Sequence, residues 1–216
     1  KADRDLVEFS ASMDAHLGRQ GATVEAWDWR YYMQRVLREE HEIDQFEVAK
    51  YFPLDTVLEG LFDAYQRLVD VTFVPQPNKQ AWHPDVRLFA IEDEGEVVGY
   101  FYMDLHPRPD KFGHAAAFTL RAGRELPDGN YRVPVSAVVA NFTKPTEQTP
   151  SLLRHSEVVT LFHEFGHILH QVMTRARFAR FSGTSVERDF VEAPSQMLQH
   201  WCWEPEVLQR FARHYE

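Results

Sequence analysis

Residues 153–178 read LRHSEVVTLFHEFGHILHQVMTRARF, and the reading of the whole chain starts from His163-Glu164-Phe165-Gly166-His167 within them. This is an HExxH pattern. A helix turns about 100° per residue, so histidines four apart stand nearly one above the other and can close on one metal ion. Glu164 then lies beside that ion, placed to hold a water and take its proton. Val158, Leu161, Phe162, Phe165, Leu169, Val172 and Met173 recur at helical spacing as one apolar stripe. His163, His167 and His170 fall on the neighbouring face. The helix can therefore bury one side and offer the other to a site.

A zinc site needs a third protein ligand and an open position for water. Residues 183–203, GTSVERDFVEAPSQMLQHWCW, supply three carboxylates, Glu187, Asp189 and Glu192, in what reads as a second helix or pair of short helices. Phe190, Val191, Met197 and Leu198 give it an apolar side, and Pro194 suits a first turn. Spacing does not choose among the three acids. A short loop around Gly183 lets the two helices fold back on each other. The residues alone thus indicate a zinc hydrolase with a site of two histidines and one carboxylate.

Two segments, FHEFGHILHQ (residues 162–171) and FSGTSVERDFVEAPSQMLQHW (residues 181–201), resemble the thimet oligopeptidase and oligopeptidase A family of zinc metallopeptidases. AWDWRYYM, VVGYFYMDLHPRPDKFGHAAAF and VVANFTKPTEQTPSLLRHSEV upstream are similar to that family's segments in the same order, so the resemblance runs from about Trp27 to Trp203. It implies one zinc ion per chain held by His163, His167 and Glu192, with Glu164 as catalytic base. The implied architecture is an α+β, mainly helical, zincin-like core with a small sheet beside the HExxH helix. The implied substrates are short unstructured peptides cut at internal bonds. A dipeptidyl carboxypeptidase of the same family would share these residues, and a non-catalytic peptide-binding fragment is the remaining alternative.

The bulk composition is that of an ordinary soluble protein. Among 216 residues, 23 basic against 33 acidic side chains leave a net charge of −10, which disfavours nucleic acid and anionic membranes as partners. No apolar run approaches the roughly 18 residues that span a bilayer. The single cysteine, Cys202, excludes an intrachain disulfide and fits a reducing, cytoplasmic setting. Cys202 reads as a small buried hydrophobe.

Along the chain, helices are expected over residues 1–20, from a cap at Thr23 to about His41, over Ile43–Tyr51, and from Leu54 through Leu68. Trp27, Trp29 and Tyr31 read as core or interhelix packing. Phe73-Val74-Pro75-Gln76-Pro77 reads as a linker, which divides a helical segment (1–74) from a zinc-binding core (75–216). In that core, Val86–Ile91 and Val97–Met103 form a hairpin, and Ala115–Leu120 and Val133–Val139 bring the sheet to about four strands. Small residues at Gly113-His114-Ala115 allow close backbone approach, and substrate in zinc peptidases lies along such an edge. The resemblance favours these three as substrate-binding residues over a plain interior strand.

For the outer layer around the metal, Asp189, Ser195 and Gln196 are within helical reach of Glu192, and Gln196 is the favoured partner of a histidine ring, with Asp189 second. The chain opens on Lys1 and stops at Glu216 inside a helical pattern, so it is expected to be a fragment. The residues that stabilise the tetrahedral intermediate in the family would then lie beyond its end. Self-association of the isolated chain through apolar positions such as Leu6 and Phe9 is expected.

Overall fold

The histidine helix buries the stripe that its spacing marks out, except Met173, which follows the helix as its C-cap and is half-buried. The helix is α5 (His155–Val172), and Val158, Leu161, Phe162, Phe165, Leu169 and Val172 are all buried. The computed structural model describes residues 2–39, 42–77 and 81–216, in two units, Lys1–Val48 and Ala49–Glu216.

The first unit holds α1 (Ala2–Leu17) and α2 (Trp29–Glu39). Helix α2 starts later than a cap at Thr23 would have it. Asp28 takes that role: its carbonyl accepts from Tyr32 N–H at 3.1 Å and its carboxylate from Glu25 N–H at 3.3 Å. The buried face of α2 is Tyr32 and Val36, one turn apart, which leaves Trp27 (78% exposed), Trp29 and Tyr31 outside the core, while the Tyr31 ring meets His16 of α1 at 5.8 Å, the interhelix packing expected of it. The expected helix limits at Lys1 and His41 lie outside the described residues. A short α3 (Gln45–Ala49) follows.

In the second unit α4 (Leu54–Val69) leads directly into the sheet, whose strands are β1 (Thr72–Gln76), β2 (Arg87–Asp93), β3 (Glu96–Asp104), β4 (Ala116–Arg121) and β7 (Val135–Val139). Two-residue strands β5 (Arg124–Glu125) and β6 (Tyr131–Arg132) pair separately. The order β1-β2-β3-β7-β4 makes a five-stranded sheet, with β3 and β7 parallel and the other pairs antiparallel. The additional strand is β1, in the stretch expected to be a linker. Proline lacks the donor an interior ladder needs, but β1 is an edge and pairs only with β2, so Pro75 is tolerated there. The β2–β3 hairpin turns on Glu94 and Gly95, both at positive φ (51° and 85°), as a tight two-residue hairpin requires. Helix α6 (Ala193–Gln199), a 3-10 turn (His200–Trp203) and α7 (Pro205–Phe211) complete the fold, and residues 212–216 are not helical, contrary to the expected continuation. The fold is α+β. Its smallest strands sit between elements the sequence marks clearly.

The core is aromatic. Phe165 lies at 5.1 Å from Phe101, 5.5 Å from Phe73 and 5.7 Å from both Phe62 and Tyr65, ring centre to ring centre. Tyr65 Oη donates to the Phe162 carbonyl of α5 at 3.0 Å. Losing a buried ring of this kind costs about 3–5 kcal/mol. Phe165, inside the HExxH motif, thus fixes the helix so that its histidines face away from the core.

A second anchor holds the approach to β4. Asp104 and Lys111, each with a side chain only 3% exposed, meet at 2.8 Å. Arg108 grips the same carboxylate through two nitrogens (2.6 and 2.7 Å), and Trp82 Nε1 donates to it at 2.8 Å. Lys111 Nζ also donates to the carbonyls of Asp104, His106 and Ala140 at 2.9, 2.6 and 2.5 Å. One ammonium so ties the end of β3 to the end of β7, five residues before β4. Lys111→Met leaves the buried Asp104 carboxylate with Arg108 and Trp82 alone, removes the ammonium that three carbonyls share, and is expected to lower stability by about 3–5 kcal/mol, measured by urea unfolding at pH 7.

The pH dependence follows from the same cluster. Burial alone would raise the Asp104 carboxyl, but the hydrogen bonds from Arg108, Lys111 and Trp82 outweigh it and hold it well below the usual carboxylate range. A depressed folded pKa stabilises above the unfolded value of about 3.9 and is lost as pH falls toward the folded one. Burial pushes the Lys111 ammonium down despite Asp104, so the carboxylate side carries the gain.

Candidate metal centre

Helix α5 presents His163 and His167 on its outer face, rings 4.9 Å apart and nearly perpendicular. The oxygen Oε2 of Glu192 lies 3.2 Å from His163 Nε2 and 3.1 Å from His167 Nε2. Among the described residues these three form a group that could hold a metal ion, with ligand atoms within 4.8 Å of one another. Ligand bonds of about 2.0–2.1 Å in a tetrahedron set ligand atoms roughly 3.3 Å apart, so the spacing of Glu192 from each histidine and the donor types of the triad suit zinc. Side-chain exposures of 23%, 12% and 47% leave the carboxylate as the more open member.

The ring nitrogens are turned as a metal needs them. His163 Nδ1 lies 2.8 Å from Gln199 Oε1. A carbonyl oxygen can only accept, so Nδ1 carries a proton, and Nε2 is the nitrogen turned toward Glu192 that a metal would use. Burial lowers the pKa of His167, outweighing the raising effect of Glu192, and favours the neutral ring. With both rings neutral, two lone pairs and a carboxylate aimed at one point repel one another unless a cation lies between them. That donor set fits a divalent metal.

Glu192 stands at the N-cap of α6, with Pro194 in the first turn, where its missing N–H costs nothing. Glu187 and Asp189 lie in the preceding turn and take no part in the triad. The chain of α6 runs back along α5: Glu192 meets His163 and His167, Gln199 meets His163, and the Cys202 carbonyl meets His155 Nε2 at 3.0 Å. This antiparallel course explains why the outer partner is Gln199 rather than Gln196. The residue two turns beyond Glu192, not one, comes level with His163. Gln196 is exposed, and neither it nor Asp189 is hydrogen-bonded to either histidine among the described residues. Cys202 is buried, donates to the Gln199 carbonyl at 2.8 Å, and has its thiol pushed up to about 12 by burial. It is no nucleophile.

Glu164 is half-buried beside the triad. Burial raises its pKa, as does the charge of Glu192, against the lowering effects of His163 and of a hydrogen bond from Ala117 N–H. Ala117 belongs to β4, and its carbonyl lies 3.5 Å from Gln171 Nε2, so both backbone groups of this residue meet side chains of α5. Strand β4 is the sheet's other edge, paired only with β7. Gly113, His114 and Ala115 lie in the bend just before it, not within it, and a Cβ on Gly113 would meet nothing within 4 Å. Open space therefore adjoins this bend. Gln199, Ser195 and the Ala117 amide are the members of the site that sequence reasoning missed or left unweighted. A backbone amide leaves no mark in a sequence, and Gln199 is visible only once the direction of α6 is known.

The sequence profile of peptidase family M3 matches residues 2–216. The chain belongs to that family. Across its M3 relatives it is 45% identical over 195 residues to thimet-like oligopeptidase of Dictyostelium discoideum, covering 88% of this chain and 29% of that protein. It is 37% identical over 218 residues to oligopeptidase A of Escherichia coli K12, covering 100% of this chain and 32% of that protein. Identity to the dipeptidyl carboxypeptidase of the same strain is 39% over 218 residues, covering 100% of this chain and 31% of that protein. This M3 chain spans about a third of the length of the curated relatives it matches. No helix among its described residues is long and apolar enough to cross a membrane.

Proposed function

We propose that this M3 chain carries the zincin-like catalytic core of a zinc-dependent oligopeptidase that hydrolyses internal bonds of short, unstructured peptides. One observation carries the reading. Oε2 of Glu192 converges on His163 Nε2 and His167 Nε2, with Glu164 alongside and the β4 edge hydrogen-bonded to it.

His163, His167 and Glu192 would hold a zinc ion, which would supply Lewis-acid chemistry toward the scissile carbonyl and the attacking water. The residues of the chain do the rest. His163 and His167 offer their Nε2 atoms, the first with its ring orientation held by Gln199 at Nδ1. Glu164, whose proton affinity burial has raised, accepts a proton from the attacking water and returns it to the departing amine nitrogen. A peptide laid beside β4 as an added strand would pass Gly113, His114 and Ala115 before reaching Ala117 and Glu164. Water as nucleophile fits a site whose Ser195 is fully buried and hydrogen-bonded to Glu192, and whose neighbouring thiol, Cys202, is buried and held protonated.

The second reading, removal of C-terminal dipeptides, is favoured by the 39% identity to a dipeptidyl carboxypeptidase. Product analysis in the complete protein separates the two. With a peptide amidated at its C-terminus, an endopeptidase is expected to cut at internal bonds at an undiminished rate. Cleavage that requires a free C-terminal carboxylate and releases only dipeptides would replace the first reading with the second.

A further inference from the structure

Glu192 is the most exposed of the three ligand side chains and lies outside the helix it caps, so its carboxylate needs something to hold it. Ser195, fully buried, puts Oγ 3.0 Å from Glu192 Oε2, the same oxygen that faces both histidines, and 2.9 Å from the Glu192 carbonyl. Its one proton serves either oxygen and ties the carboxylate to its own helix. What places Ser195 there is the closeness of α6 to α5. A Cβ built on Gly166 would fall 2.8 Å from Ser195 Cα, 3.4 Å from its Cβ and 3.5 Å from Leu198 Cβ. The first of these is a backbone position, which no side-chain rotation relieves. Any residue larger than glycine must push α6 outward, and Ser195 and Glu192 with it.

We propose that Gly166 and Ser195 act together as positioning residues for the third ligand. Gly166 sets the spacing between the helices, and Ser195 holds Glu192 Oε2 at the point where the two histidines converge. One of the two variable positions of HExxH thus sets a distance rather than contributing chemistry, while the other, Phe165, anchors the core. The inference rests on the zinc-site reading above, and its test separates the two.

The experiment measures zinc affinity of the complete protein by competition with a chromophoric chelator, beside the thermal midpoint of the metal-free form. Ser195→Ala is expected to weaken zinc by about 10–100-fold, the usual effect of losing a partner behind a ligand, with the metal-free midpoint nearly unchanged. Gly166→Ala is expected to weaken zinc at least as much, and cobalt substituted for zinc should give an altered visible spectrum in both variants. Affinity within twofold of wild type in Ser195→Ala would overturn the role of Ser195, and wild-type affinity in a folded Gly166→Ala would overturn the spacing role. A lowered metal-free midpoint with unchanged affinity would mark both as packing residues and overturn the proposal. Should Gly166→Ala fail to fold, Ser195→Ala decides. If the wild-type protein itself binds no zinc, the site reading fails, which is a distinct result.

Discussion

In the complete protein, Glu164→Gln is expected to lower kcat by about 10²–10⁴-fold, the typical worth of a general base, while zinc stays at one per chain. Glutamine has the shape of glutamate and can still accept the hydrogen bond from Ala117 N–H, so the β4 edge and the helix should stay where they are. What it lacks is a carboxylate able to take a proton. Steady-state kinetics on a quenched peptide, with metal content measured on the same samples, makes the comparison. Turnover within a few-fold of wild type would remove Glu164 from the role of base.

His167→Ala is expected to have the largest effect on metal. It deletes one of the two proposed nitrogen ligands, at the more buried of the two histidine positions, and affinity should fall well beyond the roughly 10–100-fold attached to outer partners. The fold should survive. Phe165 and Phe162 hold α5 from its opposite face, and their ring contacts do not involve His167. Chelator competition together with circular dichroism of the metal-free protein checks both parts. Zinc bound at wild-type affinity would mean that the ion is held elsewhere.

What could be read from the sequence divides along physical lines. The periodicity of α5 is legible because burial imposes it: its apolar positions contact one aromatic core, and the histidines follow on the free face. The hairpin of β2 and β3 is legible because Glu94-Gly95 supplies both positive φ angles of a tight turn. Strand β1 is not, because two prolines signal a break wherever a ladder must continue, and only its edge position makes Pro75 harmless. The tryptophans near Asp28 mislead in the opposite direction. Large rings read as core, yet it is Tyr32 and Val36 that α2 buries.

The site shows the same division. Two histidines four apart converge by helix geometry alone. The choice of Glu192 over Glu187 and Asp189 rests on where α6 begins, which local spacing does not fix. Gln199 depends on the antiparallel run of α6 along α5, a tertiary fact. The Asp104–Lys111 anchor joins residues whose charges, taken singly, look like solvated surface.

The most direct measurement is a zinc titration of the metal-free protein, monitored by chelator competition and repeated with Glu192→Gln. The account predicts saturation at one equivalent per chain, with affinity strongly reduced when Glu192 loses its charge and the histidines are left to hold the ion alone. No saturable binding, or a stoichiometry and affinity indifferent to Glu192, would contradict a metal held by His163, His167 and Glu192.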